Sequence, residues 1–255
     1  MDLSFSQLAL LCAAALIAGV VDAIAGGGGL VTLPAILAVG LPPHVALGTN
    51  KGQSVFGAFA ALLRFWRAGL VRRDLSTVTF PLGLLGALLG TGLVLLMRPE
   101  VLKPVVLVLL VVVAAFLAFR RGPPPGTRPQ PPLARARALG AIIALLVGAY
   151  DGFFGPGTGT FLIIAFSGLL GHSLTHASAD AKVVNFATNL SAVALFSSRG
   201  LVLWHVALPM AAAQFTGAWL GVHLAVRGGD TLVRKVVLGV VVALVLKLGR
   251  DVLVG

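Results

Sequence analysis

Charge is scarce in this sequence. Of its 255 residues 11% are charged, where a soluble domain carries about 25%. Carboxylates are the scarcer sign, 8 against 19 Lys and Arg. With 58% hydrophobic residues and a mean hydropathy of +1.03, the chain is too apolar to be coated in water, which excludes a soluble globular domain. Cysteine is nearly absent. Cys12 has no partner for an internal disulfide and lies in an apolar run, where it reads as a small core residue. Regular alternation of apolar and polar residues is missing too, which excludes a transmembrane barrel. No basic segment precedes the first apolar run, so that run reads as part of the fold and not as a cleaved signal. There is no P-loop and no strand–glycine–helix dinucleotide fingerprint. His44, His172 and His176 fall in short turns without zinc-type spacing, and no motif supplies a Ser-His-Asp trio. The chain is therefore read as a non-enzyme with no catalytic residue, no metal and no cofactor.

What is present is a succession of apolar runs, at about 5–24, 30–40, 45–66, 76–97, 101–119, 138–154, 158–170, 178–197, 201–225 and 231–248. Runs of roughly 17–25 such residues span a bilayer as helices. The fold class is all-α, a polytopic integral membrane protein of about 8–10 membrane helices, short re-entrant ones included. The formal charge of +11 does not point to nucleic acid, because the Lys and Arg sit in the links between apolar runs.

One stretch is polar and irregular, "RRGPPPGTRPQPPLARAR" from Arg120 to Arg137. Its prolines forbid helix interior. It reads as a linker, 120–137, that separates a first membrane repeat, 1–119, from a second, 138–255. The two halves do match. "GVVDAIAGGGG" (Gly19 to Gly29) aligns with "GAYDGFFGPGTG" (Gly148 to Gly159), setting Asp22 against Asp151. The stretch Ala46 to Val71 aligns with Ala177 to Val202, setting Lys51 against Lys182. The links 64–74, 120–137 and 227–235 carry twelve Lys and Arg, against five in 98–103, 199–200 and the C-terminal tail. Placing the rich links in the cytoplasm puts both termini in the periplasm of a bacterial inner membrane and makes the repeats inverted.

The glycine-rich breaks sit at the centre of this reading. The run 30–40 amounts to about 16 Å of helix, too short for a hydrocarbon core of about 30 Å. A break at membrane depth is tolerated only where it is buried in protein or lines a wet cavity. The short helix that follows begins with free N–H groups and a positive dipole end, a ready anion site. Glycines that merely let helices pack closely are the plain alternative. Two such runs, each after an Asp in matching positions, favour a site. It comprises Gly27, Gly28, Gly29 and Thr32 from the first half and Gly157, Thr158 and Gly159 from the second. Asn50, Lys51, Ser54, Lys182 and Asn185 join it as substrate-binding residues. Asp22, Asp151 and Asp180 are the candidates for proton coupling, with Asp–Lys pairs that only tie helices together as the alternative.

These motifs resemble the sulfite exporter TauE/SafE family of membrane proteins: "GVVDAIAGGGGL", "GLPPHVALGTNK", "DGFFGPGTGTF" and "ASADAKVVNFATN". The resemblance covers about the whole chain. It implies a transporter of sulfite, sulfonates such as sulfoacetate, or other organosulfur anions, with export the expected direction. It also implies site roles for the glycine breaks and for Asn50, Lys51, Asp180, Lys182 and Asn185. The expected partners are a small anionic substrate, the lipid bilayer and a second copy of the chain, with a passive anion channel as the rival function.

Overall fold

The computed structural model describes residues 3–119 and 129–254, so the linker's Arg120 to Arg128 lie outside the described residues. The first half forms α1 (Phe5–Ala25), α2 (Gly29–Ala38), α3 (Pro43–Arg67), α4 (Arg73–Leu95) and α5 (Pro99–Phe119). The second forms α6 (Leu133–Phe153), α7 (Thr158–Leu170), α8 (Leu174–Ser198) and α9 (Trp204–Val254). A non-helical Gly229 at φ 55 divides α9, so this half also consists of five pieces. The chain is an all-α polytopic membrane protein. One boundary differs from the sequence reading: α6 takes Leu133 to Arg137 from what reads as linker. Pro132 is the last proline of that stretch, and the Leu-Ala-Arg-Ala-Arg that follows favours helix.

Local chemistry explains where helices begin and end. Ser4 and Gln7 form a reciprocal capping box on α1, with Gln7 N donating to Ser4 Oγ at 3.3 Å and Ser4 N to Gln7 Oε1 at 2.9 Å. Pro43 opens α3, where its missing N–H costs nothing. α1, α4 and α6 are each long and apolar enough to cross a membrane. With 25 residues each, α3 and α8 are longer still, but they carry the Asn, Gln, Lys and Asp residues of the interior. α2 and α7 have 10 and 13 residues, about 15 and 20 Å of helix, and do not span. The molecule is apolar outside and polar within: Leu10, Ile17, Leu89 and Val108 are exposed while Lys51, Asp151 and Lys182 are buried. That is the arrangement lipid requires.

Small residues bring the helices together. Gly86 and Gly90 of α4 lie against the backbone of α6, and Gly148 and Gly152 of α6 against that of α4. The crossing of α1 and α9 is built in the same way, with Gly19 facing Gln214 and Ala218, and Gly217 and Gly221 facing Leu16 and Val20. Without a hydrophobic drive in lipid, such close backbone approach is what holds membrane helices together.

These contacts also set direction. Along α3 and α9 the facing pairs are Thr49 with Leu203, Gly57 with Gln214, and Arg64 with His223, so both run the same way. α4 lies alongside α6 in one direction, Gly83 facing Gly148 and Gly90 facing Phe153, and beside α8, Arg72 meeting Asp180 and Gly83 meeting Val184 and Ala187. A short turn reverses the chain between α3 and α4. α3 and its counterpart α8 therefore run in opposite directions, as do α4 and the first part of α9: the repeats are inverted and interlocked.

A pair of α4 variants tests the packing account. A Cβ at Gly90 would lie 1.9 Å from Ala149 O, whereas at Gly92 it meets nothing within 4 Å. Gly90→Ala should lose about 1–3 kcal/mol to overpacking, seen as a clear fall in Tm of the purified protein. Gly92→Ala should hold or raise Tm, since Ala is favoured over Gly in helix by about 1 kcal/mol. Equal effects at both positions would refute the close-approach role.

Candidate functional site

The two glycine breaks meet in the interior. Gly26 O accepts from Thr160 N at 3.1 Å, and a Cβ on Gly26 would come within 2.2 Å of the Gly159 carbonyl carbon. With φ at 76 as well, Gly26 admits no other residue without strain. The carbonyls that α1 leaves open at its C-terminus are taken by the second half: Thr160 Oγ1 donates to Ala25 O at 2.8 Å and Ser178 Oγ to Ile24 O at 3.0 Å. The reverse tie runs from Thr91 Oγ1 of α4 to Gly152 O of α6 at 2.9 Å. Broken backbone at membrane depth is thus satisfied within the protein.

Two ion pairs cross between the halves. Lys51 Nζ lies 2.8 Å from Asp151 Oδ1, and Lys182 Nζ 2.7 Å from Asp22 Oδ2. Each joins the lysine of one repeat to the aspartate of the other. Asp151 also accepts from Thr158 Oγ1 at 2.8 Å and from Thr188 Oγ1. Asp22 accepts from Gly28 N at 3.3 Å, and its side chain is 18% exposed where that of Asp151 is 4% exposed. Two ammonium groups face two carboxylates, and the set is neutral.

Between these pairs lies a polar cavity of about 30 Å³, room for a water or two and not for an organic anion. Of the residues singled out in the sequence, Asp22, Gly29, Asn50, Lys51 and Ser54 line it from the first half. Asp151, Thr158, Gly159 and Asn185 line it from the second. Neither Gly29 nor Gly159 has a partner for its N–H among the described residues. Asn50 Oδ1 accepts from Thr32 Oγ1 at 2.6 Å and Gln53 Nε2 at 3.1 Å, which holds its amide in place. Thr32, Gly27, Gly28 and Gly157 stand behind the wall. Lys182, fully buried, reaches Asp22 from behind as well.

Four wall residues are not among the binding residues named from the sequence: Gly26, which belongs to the first glycine break, Asn189, which stands out there only as a polar residue near Lys182, and Gly155 and Gln214. Gln214 had a signal, an amide within the apolar run 201–225, and it lies on α9 against Gly57 of α3. Asn185 Oδ1 and Gln214 Oε1 are buried without a protein partner among the described residues. An amide can turn either its carbonyl or its NH2 towards a guest, so these two offer the cavity adaptable polar ends.

Asp180 is elsewhere. Its Oδ1 accepts from Arg72 N at 2.9 Å, and its Oδ2 lies 3.0 Å from His172 Nδ1. Arg72 Nη1 is 3.2 Å from His172 Nε2. A guanidinium only donates, so the histidine accepts at Nε2, while its Nδ1 stands against the Asp180 carboxylate without forming a hydrogen bond. Arg72 also pairs with Asp74 at 2.5 Å. The counterpart in the other half is Thr49, whose Oγ1 accepts from Leu203 N at 3.1 Å. The same tie, from the second turn of a long helix to the start of the next crossing, is ionic in one half and neutral in the other.

Comparison with known proteins places the chain among membrane transporters. A family model described as sulfite exporter TauE/SafE matches residues 11–248. The chain is 38% identical to a probable membrane transporter protein, ORF9, of Sinorhizobium sp., over 98% of this chain and 95% of that one. It is 39% identical to a probable membrane transporter protein of Haemophilus influenzae, covering 93% and 92% of the two chains. With the probable membrane transporter protein YfcA of Escherichia coli it shares 34% identity over 96% and 90%. No solved structure matches.

The buried pairs make a stability prediction. Removing one partner of such a pair typically costs about 3–5 kcal/mol, because the other charge is stranded. Lys51→Met should therefore lower Tm steeply, and adding Asp151→Asn should recover most of the loss. If the double variant melts no higher than the single one, the stranded Asp151 carboxylate is not the cause.

Proposed function

The chain belongs to the sulfite exporter TauE/SafE family and is a membrane transporter; on that premise we propose that it is a secondary transporter of small anions, of the sulfite or sulfonate type, working in the export direction and coupled to protons. The observation that carries the reading is the crossed Lys51–Asp151 and Lys182–Asp22 pairing around a small polar cavity. An anion entering a neutral set of two cations and two carboxylates meets repulsion as much as attraction. Protonation of one aspartate releases its lysine, and the anion then takes the carboxylate's place as counter-ion. Anion and proton are thereby linked one to one at each pair and cross together, so export runs down the anion's own gradient and an inward-directed pH gradient opposes it. The unpartnered N–H groups of Gly29 and Gly159 and the amides of Asn185 and Gln214 supply further donors.

Membrane orientation follows from the basic links. We place the Arg-rich turns 64–74 and 227–235 in the cytoplasm and both termini in the periplasm. Single-cysteine labelling in a Cys12→Ser background checks this: an impermeant reagent should reach a cysteine at Ser4 in intact cells and should not reach one at Ala68.

The transport reading is tested in proteoliposomes with labelled sulfite and sulfoacetate. Uptake should saturate, show counterflow and respond to an imposed pH gradient. Asp151→Asn, which strands the Lys51 ammonium and so also lowers Tm, should abolish the response to the gradient when flux is normalised to folded protein. Lys51→Ala should weaken anion affinity by roughly ten- to a hundredfold, the worth of hydrogen bonding to a charged group. An ion-selective current without saturation would favour a passive channel, and saturable flux indifferent to pH would remove the coupling.

A further inference from the structure

A second cationic site lies well away from the ion-pair cavity, where the end of α3 packs on α9. Arg64 and Arg67, in the last turn of α3, both stand over the indole of Trp219, with guanidinium-to-centroid distances of 4.9 and 5.9 Å. Arg64 Nη2 is 2.5 Å from His223 Nδ1, so the ring nitrogen accepts and the imidazole is neutral. Together with Ala68 and Val226 these residues wall a recess of about 300 Å³, far larger than the central cavity. Arg227 follows one turn beyond His223 on the same helix.

No carboxylate answers this charge among the described side chains. Asp22, Asp74, Asp151 and Asp180 are each engaged by another cation or imidazole. Glu100 heads α5, at the far end of α4 from the α3–α4 turn. Nor does the fold itself demand arginines here, because the same crossing is built twice. In the inverted counterpart, where α8 packs on α4, the positions of Arg64, Arg67, Trp219 and His223 are taken by Leu195, Ser198, Leu88 and Gly92. At those four matching positions the counterpart crossing carries neither cation nor aromatic ring, so packing alone does not account for the charge gathered in the recess.

Its surroundings say what. The recess opens at the end of membrane-spanning helices, on the face that carries the arginine-rich turns, and an indole is at home at that depth. Beside it on α9, Leu220 and Leu224 are exposed. Guanidinium groups bind phosphate oxygens in pairs, and basic pockets between membrane helices on this side suit anionic headgroups. We propose that the recess holds the phosphodiester headgroup of an anionic phospholipid, phosphatidylglycerol or cardiolipin, with Arg64 and Arg67 on the phosphate and the acyl chains along Leu220 and Leu224.

The test uses the full-length protein, purified and stripped of lipid. Phosphatidylglycerol and cardiolipin should raise its Tm and remain bound in native mass spectrometry, whereas phosphatidylcholine should do neither. Arg64→Gln with Arg67→Gln should weaken retention about tenfold or more, given the attraction each basic group exerts on anionic lipid. Arg67→Gln alone, at an exposed position that cannot unfold the protein, should show part of that loss. Arg199→Gln, at the α8–α9 turn, should leave retention unchanged. Undiminished retention in both recess variants would overturn the proposal. So would equal loss in Arg199→Gln, which would mark a general charge effect, and so would inorganic phosphate raising Tm as well as the lipids do, which would mark a free-anion site.

Discussion

A lysine inside a bilayer must find a negative charge or give up its own, and this chain buries two. Each finds its aspartate in the opposite half, Lys51 on Asp151 and Lys182 on Asp22. In each case the aspartate lies near the end of the first helix of its repeat and meets the lysine of the other. The crossed pairs thereby require that the two breaks meet, that α1 and α6 reach the interior, and that the long polar helices α3 and α8 lie at the centre. The cavity between the pairs is what remains when four charges and two broken backbones are satisfied together.

Glycine does two jobs in this framework. Along α1, α4, α6 and α9 it removes side chains so that backbones touch, as at Gly90 and Gly152. At Gly26 it also supplies the left-handed turn that ends α1 against α7. Gly26, Gly29 and Gly159 line the cavity, and Gly26 and Gly159 also lock the breaks together by close approach of their backbones.

The repeats share a framework but not its decoration. Ser54 and Asn185 occupy matching positions on the cavity wall, whereas Asn50 is matched by Ala181. The tie at Thr49 is a neutral hydroxyl; at Asp180 it is a carboxylate held by Arg72 and His172. A carrier whose two halves were equivalent would favour neither face. The ties at the two ends are thus unequal, and the basic recess beside Trp219 has no counterpart at the matching positions of the other half.

The sequence by itself determined the solvent, the helical class, the ten-piece order and the repeat, because those rest on composition, run length and self-similarity. It also singled out Asp22, Lys51, Asp151 and Lys182, since charge in an apolar run stands out wherever it is placed. Which carboxylate each lysine meets was decided only by tertiary structure, because pairing across an inversion depends on how two halves pack and not on spacing along the chain. The same holds for Asp180, as prominent in the sequence as the other two but carried to the start of α4, and for Gln214, one amide in a long apolar run that only the contact of α9 with α3 brings to the cavity wall.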